Sequence, residues 1–145
     1  MATTTSRSSC WTSAICLTAP PAARPGTQLR RPTRSRPSSR LATNRTITSE
    51  AALAKAGLGP KEIDFWEINE AFCIVALNCI QQLGLDPDKV NVNVGAIALG
   101  HPIGASGARL IVTLIHALRN RGLKTGIASL CIGGGEATAI GVEAV

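Results

Sequence analysis

Three short stretches carry residues whose types and spacing can do chemistry. The first is Gly95-Ala-Ile-Ala-Leu-Gly-His-Pro-Ile-Gly-Ala-Ser-Gly-Ala-Arg109, with His101 near its centre. Its glycines let backbone approach a ligand closely. The apolar run over 110–118 behind it predicts a helix whose free N–H groups and positive dipole end favour negative charge. A histidine delivered there can take a proton or donate a hydrogen bond to an oxyanion. The second stretch is Cys131-Ile-Gly-Gly-Gly135. It reads either as a thiol beside three glycines whose N–H groups form an anion nest, or as a strand cysteine packing as a small hydrophobe. The third is Asn69-Glu-Ala-Phe72, where Asn69 is an N-cap, a polar group of a reactive site, or both. Arg109 reads as an exposed or ion-paired helix residue, with a phosphate contact as the alternative. His116, between Leu114, Ile115 and Leu118, reads as structural, and Cys73 and Cys79 read as core thiols.

These groups need elements to hold them. Ser49 is a fitting N-cap for a helix through Ala51, Leu53 and Lys55, closed by Gly57. The stretch 63–68 reads as a short strand. A helix then begins in Asn69-Glu-Ala-Phe72 and runs to Leu83, apolar almost all round, so it is expected to be buried on several sides. Gly84 and Asp86-Pro87 end it. Val90-Asn-Val-Asn-Val94 alternates like an edge strand or extended loop, and 95–105 reads as the loop that delivers a helix over about 106–120. Residues 124–132 and 137–142 are apolar strands joined across Gly133–Glu136 as a hairpin. Helix, strand, helix, helix, strand, strand is the order of an α/β domain, helices layered on a mixed sheet.

The composition bounds the partners. The chain has 145 residues and is 45% hydrophobic, enough for one domain with a real core. Its charge is split: Met1–Ser49 holds eight Arg and no other charge, a net +8, whereas Glu50–Val145 holds seven basic and nine acidic residues, a net −2. The basic excess therefore lies in a Ser-, Thr-, Arg- and Pro-rich segment of disorder-like composition, and it argues for no nucleic-acid partner of the folded part. Residues 1–48 are expected to be a disordered basic segment, and 49–145 the folded domain. The basic segment reads as a transit peptide, as sequence with no folded role, or as an RNA-binding arm, the last disfavoured because no aromatics interleave with the arginines. No apolar run is long enough for a membrane span. Cysteines 10, 16, 73, 79 and 131 show no metal-ligand spacing and no disulfide framework, so no metal is expected.

The three stretches, in this order and spacing, resemble the C-terminal part of a thiolase, most like the acetyl-CoA C-acetyltransferase type. The resemblance covers about residues 49–145, the final quarter of a usual subunit. It implies that His101 is the active-site histidine, activating a nucleophilic cysteine and helping to bind the thioester oxygen. It implies that Cys131 is the acid and base at the α-carbon, that Asn69 holds a water of one oxyanion hole, and that the Gly133 N–H serves the other. It implies coenzyme A thioesters as substrates, no prosthetic group, a homo-oligomeric intact protein, and a mitochondrial or cytosolic compartment. The sequence departs from the family at Val94, where members commonly carry glycine; a Val cannot take a glycine-only backbone conformation cheaply. The family's acylated cysteine has no counterpart here, and neither Cys10 nor Cys16 is assigned that role. The expectation is therefore an acetyl-CoA acetyltransferase segment carrying part of an active site and without turnover alone. The alternative is a non-catalytic remnant or interaction module that associates with intact thiolase subunits.

Overall fold

The computed structural model describes residues 17–18, 39–132 and 136–144. Gly133 and most of the N-terminal segment lie outside the described residues. The elements are β1 (Leu17–Thr18), α1 (Ser39–Ala56), β2 (Phe65–Ile68), α2 (Cys73–Leu83), α3 (Ala96–Leu99), α4 (Ser106–Asn120), β3 (Thr125–Ile132) and β4 (Glu136–Glu143), with short 3-10 turns at Pro60–Glu62 and Pro87–Lys89. The sheet order is β1-β4-β3-β2, with β2 parallel to β3 and the other pairs antiparallel. The mixed α/β layering expected from the sequence is what the chain forms.

Strand alternation divides the core in two. Trp66, Ile68, Ile127 and Ala139 face α1 and α2, where they pack with Ala52, Leu53, Ala76 and Cys79. Phe65 and Ala128 face the other way, onto Leu110, Leu114, Ala117 and Leu118 of α4. Those four recur at helical spacing, which is why α4 was legible from its sequence. It lies close against the sheet at Gly126, where an added Cβ would stand 2.7 Å from Leu114 Cδ1. The exposed edge of β2 is covered by Val90, which forms a bridge to Trp66, and by Asn91, whose N–H donates to Trp66 O at 2.8 Å.

Four expectations are corrected. The first helix begins at Ser39, so residues 39–48, expected to be disordered, are helical, and Ser49 is a buried helix residue instead of an N-cap. Its inward face carries Thr46, Thr48 and Ser49 ahead of Ala52 and Leu53; a hydroxyl-lined face gives no apolar period to read. Thr46 Oγ1 donates to Gln82 Oε1 of α2 at 2.6 Å. The close of the helix is as expected: Gly57 has φ +68, and Leu58 N–H donates to Leu53 O at 3.1 Å.

Second, α2 buries one face only, through Val75, Ala76 and Cys79. Phe72 is 63% and Leu77 60% exposed, and Cys73 is an exposed thiol. Third, 95–99 is not all loop, because Ala96–Leu99 makes one helical turn. Fourth, the 90–94 stretch pairs only at Val90, because Asn91 (φ +51) and Val94 (φ +62) turn left-handed and break the extension.

Candidate active site

Asn69 follows the last residue of β2, and its N–H donates to Ser129 O at 2.9 Å, continuing the parallel ladder. Cys131 is the penultimate residue of β3, paired with Ala137 and half-buried as a free thiol. Asn69 and Cys131 thus stand at the carboxyl ends of two adjacent parallel strands, the edge at which open α/β sheets place ligands.

The polar chain at this edge is built from three elements. Asn69, fully buried, directs Nδ2 to His101 Nε2 at 3.3 Å. His101 Nδ1 lies 2.6 Å from Ser106 Oγ, and Ser106 Oγ donates to Pro102 O at 2.9 Å. That last bond uses the only hydroxyl proton, so Ser106 Oγ must accept from Nδ1–H. Nε2 therefore carries the lone pair and accepts from the Asn69 amide. The tautomer follows from the network. A nitrogen with a lone pair at this position can receive a proton and, once protonated, donate to an oxyanion. Asn69 does not cap α2, since Phe72 occupies the cap position and the Asn69 side chain is turned to His101.

The loop that carries His101 is held from outside. Glu70 accepts from Asn91 Nδ2 at 2.8 Å on Oε1 and from Ile97 N–H at 3.0 Å on Oε2. Asn91 in turn accepts from Ile68 N–H at 2.8 Å and donates to Ile68 O at 3.0 Å, pairing with the β2 edge as a neighbouring strand would. Arg109 Nη1 donates to Gly100 O at 2.6 Å, beside His101, so Arg109 is an anchor of this loop. Among the described residues it has no carboxylate ion-pair partner.

Glu67 lies two residues before Asn69, at 2% exposure, and its Oε1 has no hydrogen-bond partner among the described residues. Burial pushes its carboxyl up to about 7; the negative charge of Glu70 adds to this and the Arg109 guanidinium opposes it. Asp64, at the other end of β2, is the contrasting case. Burial works against its ionisation, but hydrogen bonds from Thr125 N–H, Lys124 N–H and Thr125 Oγ1, with the Lys89 charge, outweigh that and hold it below the ordinary carboxylate range.

The structure thus brings His101 and Asn69 together and sets Cys131 at the same sheet edge. Gly133 falls outside the described residues. Glu67, Glu70, Asn91 and Ser106 were missed. Only Ser106 left a signal, a serine four residues after a proline at a helix start, where its hydroxyl bonds back to that carbonyl. His116 lies on the exposed face of α4. Among the described residues, no group of three His, Cys, Asp or Glu is placed to hold a metal ion, and no helix is long and apolar enough to cross a membrane.

The architecture is that of an α/β domain with a histidine hydrogen-bonded to Asn69 at the carboxyl edge of its sheet. A family model described as "Thiolase, C-terminal domain" matches residues 29–144, and the chain belongs to the thiolase family. It is 57% identical over 95 residues to an acetyl-CoA acetyltransferase of Cupriavidus necator, covering 66% of this chain and 24% of that one. It is 53% identical over 92 residues to the cytosolic acetyl-CoA acetyltransferase of Mus musculus, covering 63% and 23%. The crystal structure of the Bacillus anthracis acetyl-CoA acetyltransferase superposes with a TM-score of 0.70 at 45% identity, covering 72% of this chain and 27% of that one. The human mitochondrial 3-ketoacyl-CoA thiolase in complex with CoA gives the same TM-score, identity and coverage. The chain spans about a quarter of the length of the curated relatives it matches.

Proposed function

We propose that the chain supplies the acid–base part of a thiolase-type acyl transfer, the reversible condensation of two acetyl-CoA to acetoacetyl-CoA and CoA. The observation that carries this reading is the Ser106–His101–Asn69 chain, which presents an unprotonated Nε2 at the sheet edge where Cys131 stands near the end of β3. In this reading a nucleophilic cysteine from a segment outside this chain passes its proton to His101 Nε2 as it takes the acetyl group. Cys131 protonates the departing CoA thiolate. The resulting Cys131 thiolate removes the α-proton of a second acetyl-CoA. The carbon–carbon bond forms as the acyl–cysteine bond breaks, and the freed cysteine recovers its proton from His101. Asn69 and the Gly133 N–H serve the two oxyanions, and no prosthetic group is needed.

The nucleophile lies elsewhere in this scheme, so the 145-residue chain alone is expected to give no thiolysis of acetoacetyl-CoA. Grafting residues 39–144 onto the corresponding segment of the Bacillus anthracis relative tests the assignment. The chimera is expected to be active, and Cys131→Ser and His101→Ala are each expected to lower kcat by about 10²- to 10⁴-fold, the usual worth of a positioned acid or base. A folded chimera whose thiolysis survives Cys131→Ser refutes the role of that residue.

The second reading, an interaction module for intact thiolase subunits, draws on one observation. Phe72, Leu77, Ile97 and Ile103 are large apolar side chains between 60% and 86% exposed, and such a surface favours association. Co-purification with a full-length thiolase at fixed stoichiometry supports it; aggregation without a defined complex refutes it. A mitochondrial or cytosolic compartment is proposed with the family, since the similar proteins include a cytosolic and a mitochondrial one, and so is the homo-oligomeric state of the intact protein.

A further inference from the structure

The acid–base reading rests on His101, whose ring is held from the C-terminal side by Ser106 and whose loop is anchored at Gly100 by Arg109, which leaves the residues leading into the loop to be held from elsewhere. Its preceding helix, α3, is four residues long, too short to sustain itself. The N-cap of that helix is Gly95, which has no side chain to satisfy the first free N–H groups. Glu70 fills this gap from another element, accepting the Ile97 N–H on Oε2 while Oε1 accepts from Asn91. Both Asn91 amide hydrogens are thereby used, one on Glu70 and one on Ile68 O, and its oxygen is held by Ile68 N–H. The residues on either side of Asn69 are thus tied to the two ends of the 91–97 loop, and Leu99-Gly100 leads from that loop directly to His101.

Gly95 belongs to the same device. A Cβ added there would fall 2.2 Å from the Glu70 carboxyl carbon and oxygen, so the carboxylate lies flat on the glycine backbone. Only glycine permits this approach, for reasons of space, since its φ of −118° suits any residue.

We propose that Glu70 is a positioning residue for His101, its carboxylate clasping Asn91 and the Ile97 N–H so that the imidazole is presented to Asn69 as a single tautomer. The proposal rests on the reading of His101 as the acid–base group, but its test needs no turnover, so the two fail separately. The whole chain, labelled with ring-¹⁵N histidine, carries only His101 and His116, and His116 on the exposed face of α4 is an internal reference. In the unaltered protein the two ring nitrogens of His101 are expected to be widely separated in ¹⁵N shift, Nδ1 protonated and Nε2 not, while those of His116 lie closer to a tautomeric average. In Glu70→Ala the Nδ1–H preference of His101 is expected to fall about fivefold, the worth of one ordinary hydrogen bond, with His116 unmoved. Glu70→Gln keeps the shape but only one acceptor, and is expected to fall between. Gly95→Ala, which displaces the carboxylate without removing it, is expected to reproduce Glu70→Ala and to add nothing when combined with it. A folded Glu70→Ala that keeps the unaltered His101 pattern overturns the proposal. Should Glu70→Ala not fold, an unchanged pattern in Glu70→Gln or Gly95→Ala overturns it equally.

Discussion

The buried carboxyl of Glu67 makes stability fall as pH rises, and the effect can be isolated with one isosteric substitution. In the folded chain its pKa is raised from the ordinary value of 4.5 to about 7, by burial first and by Glu70 second, against Arg109. Between those values the folded state holds a proton that the unfolded state has released, so the unfolded chain binds fewer protons and stability declines with pH. Below pH 4.5 both states are protonated and the full stability is present; it is lost as pH passes through 7. Each tenfold change in acidity is worth about 1.4 kcal/mol, so the whole loss is on the order of 3 kcal/mol, a large share of the 5–15 kcal/mol or so that holds a domain together. Glu67→Gln keeps the shape and cannot ionise. Its buried amide carries its own cost, but that cost is independent of pH, so the slope is the observable. Urea denaturation of both proteins at pH 5, 6, 7 and 8 is expected to show the Gln variant gaining on the parent by roughly 2–3 kcal/mol across the series. Adding Arg109→Ala removes the opposing charge and is expected to carry the decline to higher pH. A difference between Gln variant and parent that stays flat within about 0.5 kcal/mol from pH 5 to 8 refutes the reasoning, because that is about the resolution of such comparisons.

Two further outcomes are expected from substitutions away from the reactive groups. Val94 holds a β-branched side chain at φ +62, a conformation that costs an L-residue about 1–2 kcal/mol, offset in part by the 0.5–1 kcal/mol or so of extra chain entropy glycine brings to the unfolded state. Val94→Gly is expected to stabilise by about 1 kcal/mol, and a lower Tm for this variant would refute the strain. Asp64→Asn loses charge-assisted bonds to Lys124 and Thr125 and is expected to cost about 2 kcal/mol at pH 7. The parent's advantage is expected to shrink as pH falls below 3.8 toward the lowered Asp64 pKa, and an advantage that does not change on acidification would contradict the assignment.

The parts of the fold that were legible are those in which a run of side chains faces one way for several turns or pleats. Leu110, Leu114 and Leu118 mark the inner stripe of α4, and the apolar run of β3 beside the glycines marks the hairpin. Gly57 and Gly84 stop their helices in left-handed conformations that their sequence position announces. The start of α1 was illegible because Thr46, Thr48 and Ser49 do the burying there. The one-sided burial of α2 was illegible because Leu77 and Val75 look alike in sequence, and only the layer below distinguishes them. His101 and Asn69 were found because their motifs resemble those of a family in which such residues react, whereas Glu70, in the same motif as Asn69, and Asn91 act only by holding groups 21 to 27 residues away. No local pattern encodes such a pairing.

The contact between Gly126 and Leu114 has a mechanical consequence. α4 rides close to the sheet there, and Ser106 lies eight residues toward the N-terminus, about 12 Å along the axis at 1.5 Å per residue. A stiff helix turning about that point behaves as a lever, so a tilt too small to disturb the packing at its fulcrum is magnified at its tip. Ser106, and through its hydroxyl the Pro102 carbonyl and the His101 imidazole, ride on that tip. The accuracy with which His101 meets Asn69 is therefore set partly by a missing methyl group at the fulcrum of the lever, on a strand that carries no reactive group at that level.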